Sequence, residues 1–89
     1  MSDLQYKIVL ITGGSGGLGQ ALAEAFTREE TRVVIAARNP DRLNAAAEKM
    51  GQSGAQVLAL PCDISRRDQV QSLGQEIRRR WGEVQILIN

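Results

Sequence analysis

The 89-residue chain is 43% apolar and 24% charged with a formal net charge of +1, a balance that excludes a disordered polymer and supplies no basic field for nucleic acid. At this length one small domain is the ceiling. A single cysteine, Cys62, and no histidine exclude disulfide frameworks, Cys/His metal centres and every nucleophile-histidine pair, and Tyr6, Phe26 and Trp81 are too few aromatics for a base-stacking platform.

The first element is an apolar run, Ile8 to Ile11, expected as a buried strand. It leads directly into Thr12-Gly13-Gly14-Ser15-Gly16-Gly17-Leu18-Gly19, where five of the seven positions from 13 to 19 are glycine. Glycine in such a turn lets the backbone take positive φ and brings main-chain N–H groups against a pyrophosphate at a helix N-terminus. Three registers fit: Gly13/Gly17/Gly19, Gly13/Gly16/Gly19 and Gly14/Gly16/Gly19. A helix is expected from about Gly16, burying Leu18, Ala21, Leu22, Ala25 and Phe26.

A second strand is expected over Val33 to Ala37, then a helix with Asn39 as N-cap and Pro40 at its first position, burying Leu43, Ala46, Ala47 and Met50 and ending at Gly51. The third strand is Val57 to Leu60. Ser65 and Asp68, in capping-box spacing, open a third helix that buries Val70, Leu73, Ile77 and Trp81 before Gly82, with Arg78 to Arg80 complementing its negative end. A fourth strand, Val84 to Ile88, is broken once by Gln85.

Strand alternating with helix argues for right-handed parallel β-α-β units. The expected fold is therefore a Rossmann-type doubly wound parallel sheet of four strands in the order 3-2-1-4 with three helices, incomplete in that only the third helix covers one face. Strand surface on that face and the free edge of the fourth strand are expected sites of association.

In such a sheet ligands lie at the carboxyl ends of the strands. An NAD site usually carries an acid at the end of the second strand, where this chain reads Ala36-Ala37-Arg38-Asn39. With no carboxylate to repel it and a guanidinium to receive it, a 2′-phosphate is favoured, so NADP is expected over NAD; Arg38 as a solvated loop residue is the alternative. Asp63, after the third strand, either accepts from an adenine amino group or supports the next helix start. Cys62 reads as a small buried apolar residue without chemistry.

Together, the Thr12 to Gly19 turn, Ala37-Arg38, Cys62-Asp63-Ile64-Ser65 and Ile86-Leu87-Ile88-Asn89 resemble the N-terminal part of the short-chain dehydrogenase/reductase family along essentially the whole chain. The resemblance implies an oxidoreductase transferring hydride between NADP(H) and an alcohol or carbonyl compound. It implies that Ser15 and Gly16 line the phosphates with Leu18 following, that Arg38 receives the 2′-phosphate, and that Asp63 and Ile64 hold adenine. Asn89 is then the first residue of an Asn-Asn-Ala-Gly motif beside the ribose. The family often has a basic residue where Gly16 stands, which leaves Arg38 as the main NADP determinant.

Residues 1–89 would form a partial NAD(P)-binding domain. The Ser, Tyr and Lys such enzymes use for catalysis are absent: Tyr6, the only tyrosine, is followed four residues on by Leu10. They are expected in a C-terminal continuation, as are the small-molecule substrate site and any homo-oligomer contacts. A non-catalytic nucleotide-binding or sensing module is the alternative. No membrane-length apolar run and no signal pattern at Met1-Ser2-Asp3-Leu4 favour a cytoplasmic chain with no membrane or nucleic-acid partner.

Overall fold

In the computed structural model, which describes residues 5–13, 16–52 and 54–89, seven elements alternate along the chain. They are β1 (Ile8–Thr12), α1 (Gly17–Thr27), β2 (Arg32–Ala37), α2 (Pro40–Gly51), β3 (Gln56–Pro61), α3 (Arg67–Arg80) and β4 (Ile86–Ile88). The strands pair in parallel in the order β3-β2-β1-β4, as the sequence led us to expect. Val9 stands beside Val33 and Val33 beside Val57, while Leu10 stands beside Leu87.

Side chains alternate across a strand, so the continuous apolar runs of β1 and β2 supply two cores. On one face Val9, Ile11, Val33 and Ile35 meet Ala23 of α1 and Leu43, Ala46 and Met50 of α2. On the other, Ile8, Leu10, Val34 and Ala36 meet Cys62 and, from α3, Leu73 and Ile77. Both central strands are thereby sealed, which holds their carboxyl ends in fixed positions. Among the described residues no helix is long and apolar enough to cross a membrane.

Four expectations need correction. In α1 the sheet-facing residues are Leu22, Ala23 and Phe26, and Ala21 and Ala25 are exposed. Alanines lie on two neighbouring helical stripes, and the periodicity fits either; the side chain of Leu18 lies outside the described residues. Val70 is 42% exposed, because α3 presents Leu73 and Ile77 to the sheet and Val70 lies outside that cluster.

β4 is shorter than expected. Gln85 donates its N–H to the Ile8 carbonyl at 3.0 Å and accepts the Ile8 N–H on its side-chain Oε1 at 3.1 Å, so a side chain does the pairing that backbone would do. Finally, the Ser65–Asp68 capping box does not form: the N-cap of α3 is Arg66, without a side-chain cap. Ser65 is engaged elsewhere, in the loop that shapes the site. Leu87, on the α3 face, is 59% exposed, and β4 pairs only with β1 among the described residues.

Candidate nucleotide-binding site

The carboxyl ends of the parallel strands form one rim. At the end of β1, Gly13 adopts φ +74°, a conformation that a side chain strains, and this turns the chain sharply out of the sheet. Its N–H donates to the Ala36 carbonyl of β2 at 2.7 Å, and its own carbonyl accepts the Gly16 N–H at 3.2 Å. Gly16 is the extended N-cap of α1, and the first helical bond runs from the Gln20 N–H to the Gly16 carbonyl at 2.7 Å.

The first N–H groups of a helix have no partner within it. In α1 no side chain among the described residues caps them, and no acidic residue lies in the first turn. A Cβ at Gly16 would meet only the Gly13 carbonyl, at 3.7 Å, and one at Gly17 would meet nothing within 4 Å. Packing among the described residues therefore does not require glycine at positions 16 and 17; open space at a helix N-terminus, suited to an anion, accounts for it. Gly14 and Ser15 lie outside the described residues.

Beside this turn lies a cleft of about 400 Å³ between the ends of β2 and β3. Gly13, Ala36, Ala37 and Arg38 form one side, and Cys62, Asp63, Ile64 and Ser65 the other. The Cys62 N–H bonds the Ala37 carbonyl at 2.8 Å and so joins the two walls. Arg38 is exposed, and Asn39 next to it is committed to α2, its side chain accepting the Arg42 N–H at 3.1 Å. Ile64 is 56% exposed, an apolar surface at the cleft mouth.

Asp63 is held through its N–H, its carbonyl and one carboxylate oxygen. Its N–H donates to Gln69 Oε1 at 2.7 Å, its carbonyl accepts the Arg66 N–H at 3.0 Å, and its Oδ1 accepts both the N–H (3.0 Å) and the hydroxyl (2.7 Å) of Ser65. Those Ser65 bonds, with Arg38 and Arg66 nearby, hold its carboxyl below the usual carboxylate range. Burial raises the Cys62 thiol, with the Asp63 and Asp68 charges adding to the effect, in keeping with a thiol that stays protonated and unreactive.

At the end of β4, Asn89 is drawn to β1: the Thr12 hydroxyl lies 3.1 Å from Asn89 Oδ1 and 3.4 Å from the Ile88 carbonyl. The rim thus brings Gly13, Arg38, Asp63 and Ile64 into one cleft, sets Gly16, Gly17 and Gly19 at the adjoining helix start, and ties Asn89 in through Thr12. Sequence reasoning missed Thr12, Ser65 and Gln69 as site residues. The signal for Gln69 was a glutamine at the third position of α3, where such side chains reach back to free N–H groups.

This geometry defines a dinucleotide-binding α/β protein, with a glycine turn, an open helix N-terminus and a neighbouring cleft at the carboxyl ends of parallel strands. A family model described as short chain dehydrogenase matches residues 7–89, and the chain belongs to that family. It is 37% identical over 87 residues to a fatty acyl-CoA reductase of Mycobacterium tuberculosis, covering 98% of this chain and 30% of the reductase.

Among solved structures, L-sorbose reductase from Gluconobacter frateurii, complexed with NADPH and L-sorbose, superposes with a TM-score of 0.92 at 34% identity over 97% of this chain and 33% of that one. A short-chain dehydrogenase/reductase from Burkholderia phymatum in complex with NAD gives 0.91 at 29% identity, over 98% of this chain and 31% of that one. The chain spans about a third of the length of these relatives. One of these structures thus holds NADPH and the other NAD.

Proposed function

We propose that residues 1–89 form a partial NAD(P)-binding domain of an oxidoreductase that uses NADP(H) to exchange hydride with an alcohol or carbonyl compound. The observation that carries this reading is a pairing along one rim. Among the described residues the α1 N-terminus meets neither a side-chain cap nor a first-turn carboxylate, and the adjacent cleft offers Arg38 and no acid at the end of β2.

The residues fit the cofactor. The first-turn amides of α1, with Gly13, Ser15, Gly16, Gly17, Leu18 and Gly19, hold the pyrophosphate, and the helix end contributes roughly half a positive charge. Arg38 takes the 2′-phosphate, Asp63 and Ile64 take the adenine edge and face, and Asn89 adjoins the ribose. The nicotinamide supplies hydride when bound; this chain's residues bind and orient it. No residue of this stretch is assigned a catalytic role.

Calorimetric titration with NADPH and NADH tests the reading. A charge-assisted contact of about 1.5–3 kcal/mol predicts an NADPH preference of about ten- to hundredfold, which Arg38→Ala should largely abolish by weakening NADPH alone. Equal affinities in the unmutated protein would remove the NADP preference, and no saturable uptake of either would remove the site.

A further inference from the structure

The loop between β3 and α3 spends more hydrogen bonds on one residue than a helix start requires. Ser65 directs both its donors at a single oxygen of Asp63, Oδ1, and Gln69 reaches back from α3 to take the Asp63 N–H. Asp63 Oδ2 is left without a hydrogen bond among the described residues, on a residue that lines the cleft with Arg38 and Ile64. If the loop served only α3, Ser65 would cap the helix, which it does not.

We infer that Ser65, backed by Gln69, is a positioning residue that clamps Asp63 by one carboxylate oxygen so that the other is presented to an amino-substituted base in the cleft. The assignment rests on the proposed nucleotide site and concerns the purine end of the ligand. A 6-amino group donates to a carboxylate, whereas the 6-oxo group of hypoxanthine sets acceptor against acceptor and pays for an unmatched pair. A clamped carboxylate cannot turn away from that mismatch, and an unclamped one can. Ionisation of Asp63, favoured by the same two Ser65 bonds and by Arg38 and Arg66, keeps it an acceptor only.

The experiment compares NADPH with reduced nicotinamide hypoxanthine dinucleotide phosphate by calorimetry. The unmutated protein should favour NADPH about tenfold or more. Ser65→Ala should narrow that ratio at least about threefold, and Ser65→Thr, which keeps both donors, should restore it; a helix-support role would lower both affinities together and leave the ratio alone. In the unmutated protein the Ser65 amide proton shift should follow the Asp63 carboxyl in an acid NMR titration, a readout that needs no variant to fold. An unchanged ratio in Ser65→Ala, or a Ser65 amide that ignores the titration, overturns the clamp while leaving the cofactor reading intact. Absence of NADPH binding by the unmutated protein overturns both.

Discussion

Helices α1 and α2 both begin on the same edge of the sheet, after neighbouring parallel strands, yet their first turns are built in opposite ways. In α2, Asn39 caps the Arg42 N–H, Pro40 removes a donor that would have no partner, and Asp41 puts a negative charge at the positive helix end. In α1 the cap position is Gly16, without a side-chain bond, and no acid follows. Such a cap contributes about 1 kcal/mol, so α1 forgoes a stabilisation that its neighbour takes. A helix start that its own sequence closes is structural; one left open can accept an anion.

Transferring the closure tests that contrast most directly. Gly16→Asp has room, since a Cβ there makes only an ordinary contact, and it should leave the melting temperature unchanged or slightly raised. It should also weaken NADPH about ten- to hundredfold by setting a carboxylate against the phosphates, with Gly16→Asn losing less; calorimetry and differential scanning fluorimetry read the two effects separately. An undiminished NADPH affinity in Gly16→Asp would contradict the open-end reading.

The reverse change, Asn39→Ala, should cost about 1 kcal/mol in denaturant unfolding while NADPH affinity of the folded protein stays as it was. A smaller effect separates the third helix start from both. Asp63 is held below its ordinary pKa in the fold, so its contribution to stability is present above that ordinary value, about 3.9, and is lost as pH falls through the lowered one. Asp63→Asn should therefore flatten the fall in melting temperature below about pH 4, measured by scanning calorimetry across pH.

How legible these starts were in the sequence differed for a physical reason. Asn39-Pro40 could be read directly because both residues act on the helix they precede, and nothing nearby competes for the asparagine oxygen. Ser65 and Asp68 matched a capping pattern equally well, but Asp63, two residues upstream, offered the serine a local acceptor of comparable strength, and spacing alone does not rank two such bonds. The strand order followed from alternation and handedness, which depend on whole elements and tolerate error at their ends. The face of α1 did not, because Ala21, Ala23 and Ala25 can each pass as core until the helix is set against a sheet.

The bond between Thr12 and Asn89 joins residues 77 positions apart. Closing a loop of that span costs entropy that prior ordering of the intervening β-α units reduces, so the contact is expected to form late in refolding. The threonine that opens the glycine turn should thus acquire its partner late in folding. Nucleotide uptake should consequently trail the formation of the β1-β2 pairing in a refolding time course, making cofactor fluorescence a reporter of the last strand to dock.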